Sequence, residues 1–250
     1  MTQKTDYVRR LGDNVLVLSQ RLTEWCGKGP ALEEDMALIN VSLDLIGQAR
    51  LWLSYAAELE GQGRNEDQLA FLRDAHQFHN LLLVELPNGS YADTLARQFL
   101  FDVWHYFLLE GLCQSSDARI AEIAQKCFKE VTYHVRRSTD LMIRLGDGTE
   151  DSHRRMQAAI DALWMYTGEL FVADALDQAM QEQGVATALG EVQQKWTQHV
   201  TDVLLEATLK VPPAGLWMQS GGKAGRHTEH LGYLLAEMQF LQRAYPGAQW

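Results

Sequence analysis

Ser90-Tyr-Ala-Asp-Thr-Leu-Ala-Arg-Gln-Phe-Leu-Phe-Asp-Val-Trp-His-Tyr-Phe-Leu-Leu-Glu-Gly-Leu112 is the stretch whose reading decides the fold. It holds no proline, which in a helix interior costs about 3 kcal/mol. Ser90 and Asp93 stand three apart, the signature of a capping box that opens a helix. From there Leu95, Gln98, Asp102, His105, Leu109 and Leu112 recur at three and four residues, so they share one helical face. That face is apolar except for an amide, an acid and an imidazole. The stretch therefore predicts a long helix with polar groups on its buried seam.

Its neighbours repeat the pattern. Upstream, Tyr7, Leu11, Val15, Leu18, Leu22 and Trp25 predict one helix. A second, over about 34–60, carries apolar residues on more than one face, which suggests burial between neighbours. A shorter helix is expected over 67–84, before the turn Pro87-Asn88-Gly89. Downstream, Ser115-Ser116-Asp117 breaks the chain and caps a helix that runs to Leu145, and Gly146-Asp147-Gly148 ends it. Further helices are expected over 153–183, 187–209 and 228–244, the last preceded by the Gly-rich Ser220–Gly225. The five prolines, Pro30, Pro87, Pro212, Pro213 and Pro246, all fall where the apolar periodicity stops, and no alternating strand of useful length appears. Long helices with short connections make an all-α bundle. No linker or low-complexity tract divides it, so residues 1–250 are expected to form a single domain.

Composition narrows the function. Of 250 residues 22 are Lys or Arg and 33 are Asp or Glu, a net charge of −11 that argues against a nucleic-acid binder or a polybasic membrane anchor. Cys26, Cys113 and Cys127 are too scattered for a disulfide framework or a zinc site and are expected to be buried thiols. The first residues lack an apolar signal core, and no apolar run nears the ~20 residues of a membrane span, so a soluble, cytoplasmic chain is expected.

Chemistry should lie where polar residues interrupt the seams. The 117–145 helix places Glu130 and His134 among Ile120, Ile123, Cys127 and Leu141, and Asp44 lies among Val41, Leu45 and Leu51. Ferritin-like di-iron proteins take a Glu from each of two helices and a Glu-x-x-His from each of two others, because i and i+3 meet one cation. Here that pattern is broken. Asp44-x-x-Gly47 and Glu130-x-x-Tyr133 lack the imidazole, His134 is one residue late, and Asp102-x-x-His105 stands where a lone acid belongs. Asp44, Asp102, His105, Glu130 and His134 are therefore expected to be a degenerate di-metal site that serves as a buried polar network without metal.

Five segments carry a more specific likeness. They are Leu11–Arg21, Leu43–Arg50, Asn80–Gly89, Lys129–His134 and Gly221–Leu231. Through them the chain resembles the phenylacetic acid catabolic group of ferritin-like proteins, and within it the non-catalytic C subunits of multicomponent phenylacetyl-CoA epoxidases. The resemblance implies a ferritin-like helical bundle with additional C-terminal helices, acting as a structural partner of a di-iron catalytic A subunit. It implies ring 1,2-epoxidation of phenylacetyl-CoA, with NADPH electrons delivered by a flavin and iron–sulfur reductase. It also implies that Gln77, Phe78, His79 and Asn80, with Gln178, Ala179 and Met180, border the substrate. Phe78 could stack on an apolar group, and Gln77 and Asn80 could bond the pantetheine arm. No catalytic residue is assigned to this chain. The rival expectations are a self-sufficient di-metal oxygenase or oxidase with an atypical ligand set, and a ferritin-like storage protein. Lys223 and Arg226 beside a helix N-terminus suggest an anion site for a CoA phosphate, against a loop ordered by Thr228 as N-cap or by a partner chain. Trp217 and Trp250 are candidates for a protein interface.

Overall fold

A computed structural model describes residues 2–248. Trp250 lies outside them. Their contacts gather into two units, one within Met1–Pro87 and Gly221–Trp250, the other Asn88–Ser220.

The first unit is built on an antiparallel pair, α1 (Gln3–Thr23) and α2 (Leu32–Glu60). A side chain at Gly12 would strike Leu53, and the Ser19 hydroxyl donates to the Ser42 carbonyl at 3.1 Å, so rising numbers on one helix meet falling numbers on the other. Gly12 is what lets the two backbones approach. α1 is buried on nearly every face, and its polar residues Arg9, Arg10, Asp13, Asn14, Ser19 and Arg21 are inside with the apolar ones. α2 departs from expectation in the opposite sense. Its outer face leaves Leu32, Met36 and Leu43 open at 72%, 56% and 60% exposure. The breadth of its apolar pattern does not come from burial on all sides within this chain.

The expected 67–84 helix is broken into α3 (Glu66–Phe71), a 3-10 turn at Ala75–Gln77 and the single turn α4 (Leu82–Glu85). The reason is tertiary. The backbone N–H of His79 donates to the Asp13 carboxylate at 3.0 Å, and that of Leu81 to the Asn14 side chain at 2.8 Å. These bonds take the place of helical ones, so extended backbone is satisfied at no loss.

The second unit opens with α5 (Tyr91–Leu112). Its capping box is formed as read: Asp93 Oδ2 accepts from the Ser90 backbone at 2.7 Å while Ser90 Oγ accepts from the Asp93 backbone. α6 (Ala118–Gly146) begins with Asp117 accepting from the N–H groups of Arg119 and Ile120. It runs antiparallel to α5, since Tyr106 meets Phe128 and Tyr91 meets Arg137. The expected 153–183 helix is interrupted: α7 (Glu150–Leu163) gives way to two 3-10 turns, Trp164–Tyr166 and Gly168–Leu170, before α8 (Ala175–Glu182). The indole N–H of Trp104 donates to the Leu170 carbonyl at 3.1 Å, which fixes the break against α5. α9 (Leu189–Glu206) is tied to the same helix by the Trp196 indole, which donates to the Leu100 carbonyl at 2.9 Å. Trp217, after α9, is 68% exposed.

The remaining helix, α10 (Glu229–Ala244), returns to the first unit, where Gln239 donates to the carbonyls of Ala70 and Arg73 at 3.0 Å each. Among the described residues there is no strand, and no helix is long and apolar enough to cross a membrane. The fold class is thus all-α, a ferritin-like helical bundle with additional C-terminal helices.

Candidate functional site

The seam of α5 lies as its spacing predicts. Gln98, Asp102 and His105 are buried with Leu95, Leu109 and Leu112. On α6 the buried stripe is Ile120, Ile123, Ala124, Cys127, Val131, His134, Ser138 and Met142. Asp102 and His105 therefore share the second unit's interior with His134 and Ser138. Gln98 Nε2 donates to Asp102 Oδ1 at 2.5 Å, and the Ser138 hydroxyl donates to the His134 carbonyl at 2.9 Å. Burial pushes the Asp102 carboxyl up to about 6, against the opposing pull of His134, Ser138 and Gln98. Burial, reinforced by His134, pushes the His105 imidazole down to about 3, so it is neutral at any working pH. Asp102 Oδ2 and His105 Nδ1 are buried without a hydrogen-bond partner.

Two of the expected members are less deeply buried. Glu130 is half-buried, because the stripe passes from Cys127 to Val131 and leaves Glu130 on its edge. Asp44 belongs to the first unit and is also half-buried, at the edge of the α2 stripe that runs through Val41, Leu45, Gln48 and Trp52, with Gly47 exposed beyond it. Of the five residues expected to share a buried network, Asp102, His105 and His134 are buried in the second unit with Gln98 and Ser138, while Glu130 and Asp44 are half-buried. Among the described residues no group of three or more His, Cys, Asp and Glu side chains is placed to hold a metal ion. The donors do not fit a di-metal centre.

The 77–80 segment lies in the first unit and is largely turned inward. Phe78 is 0% exposed and its ring is covered by the Arg73 guanidinium, 4.1 Å from the centroid, so it is a core aromatic and offers no face for stacking. Arg73 is itself buried in a paired contact with Asp13 and donates to the Gln77 carbonyl at 2.9 Å. Asn80, also 0% exposed, donates to Glu85 Oε2 at 2.9 Å. The exposed Gln77 closes its own turn, its Oε1 accepting from the Asp74 backbone at 2.8 Å. His79 is half-buried, and Nδ1 lies 3.1 Å from the Lys223 carbonyl. Its pKa is lowered by burial, helped by Arg9 and Arg10, against Asp13. In the second unit Gln178 is exposed, Ala179 half-buried and Met180 buried, all on α8.

The helix N-terminus read as an anion site already has an anion. The Thr228 N–H donates to Glu85 Oε1 at 2.6 Å, and the Thr228 hydroxyl makes no cap of its own. A carboxylate at the positive end of a 16-residue helix is favourably placed. The cysteines split three ways. Cys127 is buried, with burial pushing its thiol up to about 12, Cys113 is half-buried, and Cys26 is exposed in the turn after α1, where the helical pattern has ended.

A family model described as phenylacetic acid catabolic protein matches residues 1–250. The chain belongs to that family. A relative within it is the C subunit of 1,2-phenylacetyl-CoA epoxidase from Escherichia coli (strain K12), 54% identical over 250 residues that cover the whole of both chains. In this phenylacetic acid catabolic protein the first unit holds a buried polar assembly that spacing did not reveal: Asp13 and Arg73, Glu85 and His227, Asn14 and Arg21. Its traces in the sequence are an acid inside the α1 apolar run and an acid inside Leu81–Leu86. Either would ordinarily be excluded from a core unless paired.

Proposed function

We propose that this chain is the structural, non-catalytic subunit of a phenylacetyl-CoA ring 1,2-epoxidase in aerobic phenylacetate degradation. The observation that carries the reading is the full-length 54% identity to a protein named as the C subunit of that enzyme. The interior of α5 and α6 supports it, since an acid and two imidazoles are kept there without the convergence a metal requires. In this reading the di-iron centre sits in the catalytic A subunit. There one oxygen atom of O2 adds across the substrate ring and the other leaves as water, with electrons from NADPH through the reductase. This chain carries no metal or flavin and supports its partner in the cytoplasm. Its apolar outer face on α2, with Leu32, Met36 and Leu43, and its exposed Trp217 offer surfaces for permanent association, which typically buries about 2,000 Å² or more. Where its first unit borders the acyl-CoA, the exposed Gln77 can offer its amide nitrogen to a pantetheine arm while its oxygen closes the Asp74 turn, because Phe78 and Asn80 are engaged internally; Gln178, exposed on α8, is a separate candidate in the second unit.

Reconstitution tests the proposal. Omitting this chain from a mixture of the catalytic subunit and reductase should abolish NADPH-coupled oxygenation of phenylacetyl-CoA. Adding back the Glu130→Gln form should restore it. A Glu130→Gln chain that folds and binds its partner yet gives no turnover would show that the acid takes part in chemistry.

A further inference from the structure

The Gly-rich segment before α10 is held down by a histidine whose two ring nitrogens both face acceptors. His227 Nδ1 lies 2.8 Å from Glu85 Oε2, and Nε2 lies 2.9 Å from the Phe78 carbonyl. A carboxylate and a carbonyl accept and do not donate, so both nitrogens must carry hydrogen, and a neutral imidazole has one. Glu85 is fixed as the acceptor, since it also takes the Asn80 amide on Oε2 and the Thr228 N–H on Oε1. The pair is sealed, with side-chain exposures of 5% for His227 and 0% for Glu85. Around it the segment is fitted closely to the chain beneath. A Cβ at Gly222 would stand 2.1 Å from the Asn80 carbonyl oxygen, and one at Gly225, whose φ is +72°, would stand 2.5 Å from the His76 carbonyl oxygen.

We propose that His227 is a proton-operated latch that fastens the 221–228 segment and the start of α10 over residues 76–85. With both nitrogens protonated the ring bridges the Glu85 carboxylate and the Phe78 carbonyl. Loss of one proton turns a lone pair toward an acceptor and removes the counter-charge of a buried carboxylate, so the segment lifts. Around the latch burial disfavours the protonated ring, while the acids Glu85 and Asp13 favour it. From α1, Asp13 acts on the ring and Arg21 binds the Glu85 backbone carbonyl at 3.0 and 2.8 Å. From the segment beneath come Arg73, paired with Asp13, and His79, which meets the Lys223 carbonyl. The segment itself adds Lys223, Arg226, Glu229 and His230, whose carbonyl accepts from Arg21 at 3.1 Å. Burial alone lowers the pKa of His227, but the Glu85 hydrogen bond and charge, the Phe78 carbonyl and Asp13 outweigh it and hold it above the ordinary value. The closed state is therefore stable below about pH 6.5 and is lost as pH rises through the raised value.

The test is amide exchange of 222–230 in the full chain, with the nitrogen chemical shifts of the His227 ring read alongside. The ring should be doubly protonated at about pH 6.5. After correction for intrinsic exchange, the open-to-closed ratio should rise up to tenfold per pH unit above that point and then level off. His227→Gln should make the ratio independent of pH between about 6 and 9, and Glu85→Gln should lower the His227 midpoint. A singly protonated ring at about pH 6.5, or a ratio in the unaltered protein that stays flat across that range, overturns the proposal without recourse to a variant.

Discussion

Asp102→Asn should make the protein more stable at neutral pH. The Asp102 carboxyl is buried and its pKa is pushed from 3.8 up to about 6. An acid whose folded value is raised is destabilising when ionised. The penalty is absent below the unfolded value, grows between the two, and is complete above the folded one. That difference corresponds to about 3 kcal/mol at pH 7.5, an upper bound once local relaxation is allowed for. Asparagine keeps Oδ1 as the acceptor for Gln98 and replaces the oxygen that has no partner by a neutral amide. Urea unfolding at about pH 7.5 should therefore show a gain of about 1–3 kcal/mol, and at about pH 4 the variant and the parent should coincide. A loss of 1 kcal/mol or more at neutral pH would refute the reasoning. It would mean that the ionised Asp102 forms a net-favourable pair with His134, whose rupture leaves a buried charge uncompensated.

Three further outcomes follow from the geometry. Asp13→Ala should cost about 3–5 kcal/mol in denaturant unfolding, because it strands the buried Arg73; Asp13→Leu with Arg73→Met should recover much of that loss, and a double variant as unstable as the single would count against the pair. Glu130→Gln should change stability by less than about 1 kcal/mol, since Glu130 is off the buried stripe, and a larger loss by the same measurement would return it to the interior. Gly222→Ala should destabilise by about 1–3 kcal/mol or shift the segment, because the new methyl meets the Asn80 backbone; an unchanged melting curve and an unchanged exchange pattern over 222–230 would contradict the close approach.

What sequence could and could not reveal divides along the range of the interactions. α5 was legible because everything that fixes it is local: a cap three residues long and a seam spaced by three and four. α6 is legible in extent, but its buried stripe takes Val131 and leaves Glu130 half-buried. From Cys127 the next inward residue can be three or four along; Glu130 is the polar option, and the 3.6-residue period favours Val131. The 67–84 segment carries a helical pattern that loses to Asp13 and Asn14, polar groups about 65 residues away that no local rule anticipates. The inward polar face of α1 was hidden for the same reason: Asp13 and Arg21 are tolerable inside only because Arg73 and the Glu85 carbonyl are waiting there. Phe78 reads from the sequence as available for a ligand because nothing local signals the Arg73 guanidinium that covers it.

The first unit draws on stretches at opposite extremes of the sequence, with Asn88–Ser220 inserted between them. That order matters on the ribosome. At about 5–20 residues per second, synthesis of the inserted unit takes on the order of 7 to 27 seconds. Throughout that interval α1–α4 exist without α10, and Glu85 has neither His227 nor the Thr228 N–H to meet it. The inserted unit is one continuous stretch of chain and can fold while it waits. The early helices can only hover in a half-built state, their apolar surface open to chaperones or to the wrong neighbour, until translation delivers the missing piece. A stalled or truncated product ending near residue 220 would be a folded module joined to an unfinished one, and so a natural substrate for proteolysis.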